Sequence, residues 1–229
     1  QRALRAFTAK LAPLMAFSRD FSDEAKNKGD AIAVPFISAL TASTFNATNT
    51  NYQLGGGAIT SNTINLTSHS IVTFDITDLQ NANSSAARFD QLAIQAGRAL
   101  GQRVLENIWK LITTTNFGSA SITTSESLYA LSTLIELRRV LAARNVDVDP
   151  GVCSFIHNTV VGAALLGTSN VLNAYQIGDA QAARQGTLGS LVGFPTYETN
   201  ILPTASTSLV AFAAHPDSIM VAMRYLEPL

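Results

Sequence analysis

The chain has 229 residues and a formal net charge of −1, and only 14% of its residues are charged, against about 25% in typical globular domains. The 47% hydrophobic content argues against wholesale disorder, and the balanced charge argues against a strongly basic nucleic-acid-binding protein. The single cysteine, Cys153, excludes an internal disulfide framework and a multi-cysteine metal site. No apolar run reaches 18 residues, so no transmembrane helix is expected, and no signal-peptide pattern follows Gln1.

The N-terminal region is basic. Residues 1–19 carry four cations and no acid, which gives a modest attraction to phosphate that physiological salt would screen. No aromatic interleaving supports stacking on nucleic-acid bases. We therefore expect a flexible arm that docks on a neighbouring subunit rather than a nucleic-acid contact.

Residues 31–74 contain no Asp, Glu, Lys or Arg. Apolar and polar residues alternate over residues 63–67 and 72–77, which is typical of strands and argues against a disordered polar linker. Three glycines at 55–57 can supply a turn with positive φ. The pattern predicts a long β-hairpin, or two loosely joined strands, over residues 32–77.

A ribbon of this kind is marginally stable alone in water, and its uncharged edges invite pairing with other chains. A neighbouring subunit that covers the ribbon would resolve both problems. The sequence favours this intermolecular contact over packing of the ribbon on the chain's own core.

Residues 84–113 have apolar residues at helical spacing and predict one long helix, which Asn83 or Ser84 can cap. Gly97 and Gly101 weaken this helix by up to about 1 kcal/mol each, but their spacing would let another backbone approach closely. The predicted apolar face consists of Phe89, Leu92, Ala93, Ala96, Leu100, Val104, Ile108, Leu111 and Ile112.

A second helix is predicted over residues 124–144. Thr123 and Glu126 have the spacing of a capping box, and Asn145 is expected to end the helix. Its predicted apolar face consists of Leu128, Leu131, Leu134, Ile135 and Leu141.

The last third of the chain predicts short elements. Strands are expected at residues 152–157, 191–201, 208–213 and 218–225, a short apolar helix at 159–166 ended by Gly167, and a Gly-rich loop at 178–193. Because helices and strands are segregated rather than regularly alternating, the predicted fold class is α+β.

No motif for catalysis or ligand binding is evident. His69, His157 and His215 are far apart in the sequence and lack the spacing of a zinc site. The segment 186–193 lacks the ending of a phosphate-binding loop and the order of a dinucleotide fingerprint. No nucleophile-elbow motif anchors a serine triad, and Cys153 is expected to be an inert buried thiol. We therefore assign no catalytic, cofactor-binding or metal-binding residue, and no cofactor.

The order of elements resembles the HK97-type major capsid proteins of tailed double-stranded DNA bacteriophages: a basic arm, a long β-loop, a long helix and an α+β domain with a Gly-rich loop. Residues 17–35, FSRDFSDEAKNKGDAIAVP, resemble the segment that leads from the arm into the extended loop in the branch of P22-like coat proteins. Residues 188–203, LGSLVGFPTYETNILP, resemble a late strand of these proteins, and residues 211–228 fit their closing segment. The resemblance covers most of the chain.

The resemblance implies an α+β, HK97-like capsid fold with an N-arm, an extended β-loop, a long spine helix and an α+β axial domain. The implied segments are an N-terminal arm (1–30), an extended β-loop (31–80), a peripheral domain with the spine helix (81–117), an axial domain (118–213) and a return to the peripheral domain (214–229). The extended loop would lie over an adjacent subunit, and residues 178–193 would lie near the capsomer axis. Relatives commonly continue past the position equivalent to Leu229.

The implied function is structural rather than enzymatic: self-assembly into an icosahedral capsid shell that encloses phage double-stranded DNA. Implied partners are further copies of the chain in pentamers and hexamers, together with scaffolding and portal proteins. The shell would enclose double-stranded DNA without sequence-specific binding, and no membrane is implied. The implied location is the virion, after assembly in the host cytoplasm.

Some members of this family crosslink through a lysine in the extended loop, but no lysine occurs between Lys28 and Lys110. A non-covalent shell, or one held by an accessory protein, is therefore expected. The alternatives are an encapsulin-type compartment, a small hydrolase with His157 or His215 as base, and a β-rich surface adhesin.

Overall fold

A computed structural model of the chain describes residues 2–22, 31–37, 40, 42, 58–73, 86–167, 188–203 and 208–224. The chain divides into two compact units, Gln1–Arg19 with His69–Ile219, and Asp20–Ser68 with Met220–Leu229. The helices are α1 (Arg2–Lys10), α2 (Ala86–Trp109), α3 (Thr114–Phe117), α4 (Leu131–Ala143) and α5 (Thr159–Leu166). The strands are β1 (Ser18–Asp20), β2 (Ala31–Ile37), β3 (Ile59–Asn65), β4 (Ser154–His157), β5 (Ser190–Leu191), β6 (Phe194–Glu198), β7 (Ala211–Ala214) and β8 (Ile219–Val221).

The first unit is built around a four-stranded sheet with the order β5-β6-β4-β7. The central strand β4 runs parallel to β6 and antiparallel to β7, and all four of its residues are buried. On one face, Phe155 of β4 joins a hydrophobic core with Leu134 of α4 and with Val161 and Leu165 of α5. Outside this four-stranded sheet, β1 pairs with β8.

Aromatic side chains cover the second face of this sheet. Ile156 of β4 lies opposite Phe212 of β7, so both side chains are on that face. The ring of the fully buried Phe17 lies 5.8 Å from Phe212 in an edge-on arrangement and 6.2 Å from Trp109 of α2. Pairs of this kind stabilise a fold by about 0.5–1.5 kcal/mol beyond their burial. The sheet is therefore covered on both faces by its own chain.

The basic N-terminal segment packs on its own chain, so the expectation of a flexible arm is wrong for residues 2–17. Helix α1 lies along α2. A Cβ atom on Gly97 would overlap the carbonyl oxygen of Ala3. A Cβ atom on Gly101 would lie 3.0 Å from the Cβ of Lys10, the last residue of α1. The prediction that these two glycines admit another backbone is confirmed, and that backbone is α1.

The long helix predicted at residues 84–113 is confirmed as α2, but it ends at Trp109. The predicted end is wrong because Thr113 starts another helix: its hydroxyl accepts a hydrogen bond from a backbone amide three residues later and caps α3. The predicted caps of the long helix, Asn83 and Ser84, lie outside the described residues.

The predicted apolar face of the long helix is only partly buried. Of its members, Ile108 is buried, whereas Phe89 is 54% exposed and Leu92 is also exposed. Leu105, which the prediction did not include, is buried as well. The reason is that α1 packs against the glycine side of α2 rather than against the side that carries these two large residues. The first turns of α2 therefore leave apolar side chains in solvent.

The predicted start of the second helix is wrong. Helix α4 begins at Leu131, and Glu126 lies in a separate 3₁₀ turn. The Glu126 carboxylate accepts a 2.7 Å hydrogen bond from the side chain of Asn158, so it does not return to the backbone of Thr123 as a capping box requires. A long-range contact thus replaces the predicted local one.

The predicted end of this helix is confirmed. Asn145 has a φ of +57°, and its amide donates to the carbonyl of Ala142. The amide of Val146 donates to the carbonyl of Leu141. These two bonds form a Schellman motif, in which a left-handed residue closes the last turn.

The second unit contains the hairpin of β2 and β3, which pair antiparallel with Ala31 opposite Asn65. The predicted hairpin is confirmed for these strands, but residues 66–73 form no strand, so the second alternating segment is wrong over the part that is described. The glycines at 55–57 and the rest of that segment lie outside the described residues. The hydrophobic cluster of the unit contains Ile32 and Val34, with Phe21, Phe36, Ile64, Leu66, Met220 and Ala222 packed around them.

The strand predicted at 152–157 and the helix predicted at 159–166 are confirmed as β4 and α5. The strand predicted at 208–213 is β7, and the strand predicted at 218–225 is confirmed only as the short β8. Gly167 ends α5 as predicted.

The continuous strand predicted at 191–201 is wrong, because β5 and β6 form a hairpin. Leu191 pairs with Phe194, so Val192 and Gly193 are the two turn residues. Their φ angles are +54° and +87°, as a type I′ turn requires. Valine is unusual at positive φ because its branched side chain crowds the backbone. A valine at this position therefore does not indicate a turn, and the sequence pattern predicted a continuous strand.

Candidate subunit-contact surfaces

The outer face of the β2–β3 hairpin is uncharged and exposed. The register places alternate residues of both strands on this face, and Ile59 among them is 75% exposed. No ionised group would have to lose its hydration if a partner covered the face. The exposed residues are Ala31, Ala33, Pro35, Ile59, Ser61, Thr63 and Asn65.

The inner face of the hairpin is buried on one strand only. Val34 is 2% exposed, whereas Asn62 directly opposite it is exposed. Among the strands that the structure describes, none adds to either edge of the pair. A two-stranded ribbon with half of one face covered is marginal by itself, so contact with further surface would stabilise it.

Helix α5 forms a second uncharged surface, and a 3₁₀ turn from earlier in the chain packs beside it. None of the residues Thr159–Leu166 is charged, and Val160 and Ala163 on its outer side are exposed. The turn Glu126–Leu128 packs against α5, and Leu128 is 70% exposed. Helices that are apolar all round are normally buried, so this outer side is a candidate for contact with another chain.

Asn158 organises the polar interior beneath α5. Its side-chain oxygen accepts a 2.8 Å hydrogen bond from the Val161 amide, and its side-chain nitrogen donates to Glu126. His157 is 1% exposed, and its Nδ1 donates to the Asn158 carbonyl at 2.9 Å. A Cβ on Gly162 would lie 2.9 Å from the His157 ring. The imidazole is therefore enclosed by packing, and the cluster positions α5 on the sheet.

The other residues that could carry chemistry are dispersed. His69 is exposed, and His215 Nδ1 accepts a 3.2 Å hydrogen bond from the Asp217 amide. Burial raises the pKa of the Cys153 thiol, the Asp147 charge adds to this, and the sulfur donates to the Asp147 carbonyl at 3.1 Å. Across the described ranges, no group of three or more potential ligands could hold a metal ion, and no helix is long and apolar enough to cross a membrane.

Helix α4 makes one exposed ion pair within the helix and one hydrogen bond to another element of the first unit. Arg139 donates hydrogen bonds of 2.6 and 2.8 Å to Glu136, which lower the pKa of that carboxyl and raise the pKa of the guanidinium. Arg138 donates a 2.8 Å hydrogen bond to the carbonyl of Val192. This bond ties α4 to the strained turn between β5 and β6.

No family model and no curated protein sequence matches the chain. Solved structures do match it, each over 91% of this chain: one from Mycobacterium phage Che8 (TM-score 0.67, 17% identity, 76% of that chain), the capsid structure of the Cyanophage P-SCSP1u (0.65, 14%, 73%) and the asymmetric unit of the bacteriophage PhiM1 mature capsid (0.57, 13%, 74%). The chain has a phage capsid fold. The α+β, HK97-like architecture expected from the sequence is therefore confirmed.

Within this capsid fold, the predicted contact elements have different outcomes. The hairpin exists and has an exposed outer face, whereas the basic segment at the N-terminus lies on α2. Of the Gly-rich loop at 178–193, only residues 188–193 are described, and they lie around the β5–β6 hairpin. The sequence did not predict the exposed side of α5, although its lack of charge was visible.

Proposed function

We propose that the chain is a structural, non-enzymatic protein that self-assembles into an icosahedral capsid shell enclosing phage double-stranded DNA. The observation that carries this proposal is the similarity of 91% of the chain to solved structures that include two phage capsids. A fold does not by itself specify a function, so the exposed uncharged surfaces provide the second support. Repeated contacts between different surfaces of identical subunits generate closed rings and shells.

The outer face of the hairpin is the surface that we assign to contact with a neighbouring copy. Burying apolar surface stabilises an interface by about 25 cal/mol per Å². The uncharged face obtains this stabilisation without the cost of desolvating an ion. The exposed side of α5 is a further uncharged contact surface of the same kind. The exposed Phe89 and Leu92 of α2 add apolar area, although charged residues lie beside them.

The resemblance in sequence supplies the finer assignments of this proposal. They are an N-terminal segment at 1–30 whose helix α1 packs on α2, an extended loop at 31–80, a peripheral domain at 81–117, an axial domain at 118–213 and a return segment at 214–229. The motifs at 17–35 and 188–203 support the P22-like branch. We also infer pentamers and hexamers, scaffolding and portal partners, and a virion location after assembly in the host cytoplasm. Because residues 31–80 contain no lysine, the loop contacts are non-covalent.

A single charge on the hairpin tests the proposal. We expect the purified full chain to form polyhedral particles, or rings of five and six, in negative-stain electron microscopy and light scattering. Ser61→Glu places a carboxylate in the centre of the outer face, where an interface would have to desolvate it, and should abolish these particles. Ser119→Glu makes the same chemical change at an exposed position of the first unit and should leave them intact.

Two outcomes would contradict different parts of the proposal. A monomer that no scaffolding protein, crowding agent or salt condition assembles would overturn the capsid function. Normal particles from Ser61→Glu would overturn only the assignment of the hairpin as a contact surface. Thermal unfolding of both variants should match that of the unmodified chain, which separates assembly from folding.

A further inference from the structure

The charges of this chain are unevenly distributed. Helices α1 and α2 together contain six basic and two acidic residues, a net charge of +4. The rest of the chain contains nine basic and fourteen acidic residues, a net charge of −5. The net charge of the whole chain is therefore close to zero although the α1–α2 pair is cationic. Its basic residues are Arg2, Arg5, Lys10, Arg88, Arg98 and Arg103.

Both acidic residues of the helix pair are engaged by its own cations. Arg2 of α1 forms an ion pair with Asp90 of α2. Arg103 lies 3.7 Å from the Glu106 carboxylate, one turn along α2. No carboxylate of the pair is therefore left free to repel an anion or to neutralise another cation.

The other described cations of the pair are uncompensated. Arg5, Lys10 and Arg98 form no ion pair with any residue that the structure describes. Arg5 and Arg98 are exposed, and the stem of Lys10 packs on Gly101. Arg98 directly follows Gly97, the residue at which α1 approaches α2. The packing of the two helices therefore fixes the cations of α1 relative to those of α2.

The exposed apolar residue Phe89 and the exposed cation Arg98 lie on different sides of α2. Phe89 and Arg98 are nine residues apart, and at about 100° per residue they point to opposite sides. An apolar contact through Phe89 therefore leaves Arg98 accessible. Exposed Gln91 and Gln95 provide uncharged hydrogen-bond donors on the same helix.

We propose that the α1–α2 pair binds the phosphate backbone of duplex DNA without reading its sequence. The inference rests on the proposed function, which encloses DNA within the shell. Arginine and lysine are the usual phosphate donors, and duplex DNA presents about one negative charge per 1.7 Å of its axis. This charge density favours DNA over an acidic protein segment. In the sequence, the cations of residues 1–19 form a cluster of four, and the packing of α1 on α2 adds the cations of the second helix.

Each subunit would bind weakly, and the shell would multiply the contact. A few phosphate contacts give low affinity with strong salt dependence. Many copies on one closed surface bind the same polymer together, so the combined affinity exceeds that of any single site.

The test measures salt dependence on the full chain. Fluorescence anisotropy with a labelled random-sequence duplex should give a linear fall of log affinity with log salt concentration. The triple variant Arg5→Gln, Lys10→Gln, Arg98→Gln should reduce the magnitude of that slope by about 2.7, at about 0.9 per phosphate contact. The matched control Arg139→Gln, Arg144→Gln, Arg224→Gln removes the same charge elsewhere and should keep the slope.

Several outcomes would overturn the inference. An unchanged slope in the triple variant, or an equal change in the control, would do so. Poly-L-glutamate binding as tightly per charge as the duplex would instead identify an acidic protein segment as the partner. If the triple variant fails to fold, Arg5→Gln alone should reduce the slope by about 0.9. If the triple variant leaves the slope unchanged but the unmodified chain forms particles, the DNA inference is wrong and the capsid function is still supported. If the unmodified chain forms no particles, the capsid function is wrong, whatever the slope.

Discussion

The four-stranded sheet and the β2–β3 hairpin bury their strands in opposite ways. The central strand of the sheet is buried at every residue, with helices on one face and aromatic rings on the other, all from the same unit. Among the hairpin side chains that the structure describes, only Ile32 and Val34 are buried core residues, and the outer face is exposed and without charge. The difference indicates that the sheet is complete within one chain, whereas the hairpin has surface left for a partner.

Charge shows the same contrast. The outside of the sheet region carries ion pairs such as Arg139 with Glu136, which keep that surface hydrated. Residues 31–74 carry none of the charges that usually protect strand edges from pairing. Hydrated charges thus favour solvent exposure of the surface around the four-stranded sheet. The uncharged surface of the hairpin can be covered without desolvating an ion.

The largest expected effect is a loss of folding stability in the sheet, whereas a change on the hairpin should affect assembly instead. Phe155→Ala should lower the free energy of unfolding by about 3–5 kcal/mol, because it leaves a cavity in a core with no exposed side. Ile59→Ala should change it by less than about 0.5 kcal/mol yet reduce the yield of assembled particles. Urea denaturation and light scattering measure the two quantities. Equal destabilisation by both variants would remove the contrast.

The contact between α1 and the glycine side of α2 is, like the sheet core, made within one chain. Gly97→Ala should destabilise the protein by about 1–3 kcal/mol, because the new methyl group would overlap the Ala3 carbonyl and push α1 away. Gly189→Ala is the control, since a Cβ there meets no atom within 4 Å. Thermal unfolding measures both. A stabilised Gly97→Ala variant would mean that α1 does not pack closely on α2.

A smaller effect is expected at the turn beside the sheet. Val192→Asn should stabilise the chain by about 0.5–1 kcal/mol, because asparagine tolerates positive φ and Asn-Gly is a preferred type I′ turn. Arg138 still finds its carbonyl acceptor, since that contact is to the backbone. Val152→Asn makes the same replacement at a half-buried valine without positive φ and should destabilise instead. Denaturation midpoints distinguish the two results.

The smallest effect concerns the exposed ion pair of α4. Arg139 lowers the pKa of Glu136 below its ordinary value of 4.5, so the pair stabilises the folded state above that pH. The contribution is lost as the pH falls through the lowered pKa of the folded state. The stability difference between the unmodified chain and Glu136→Gln should therefore shrink on acidification. High salt should reduce it at every pH, whereas a difference that grows on acidification would contradict this sign.

Local rules predicted the elements whose limits depend on nearby residues. Helix α5 begins after Asn158 and ends at Gly167 because a side-chain cap and a helix end are encoded within a few residues. Asn145 ends α4 for the same reason. Alternation over residues 63–67 indicated β3, whereas the alternation that begins at residue 72 did not mark a strand over its described part. The family resemblance supplied the capsid fold from the order of elements.

The contacts that local rules missed join residues far apart in the chain. By itself the sequence determined where a close-packed glycine face would occur on the long helix, and only the tertiary structure decided that α1 fills it. It likewise placed Glu126 at a helix start, but the carboxylate bonds instead to Asn158, which is 32 residues away. Spacing and propensity act over one or two turns, whereas a side chain's partner is selected by whichever distant segment folding brings within hydrogen-bond reach.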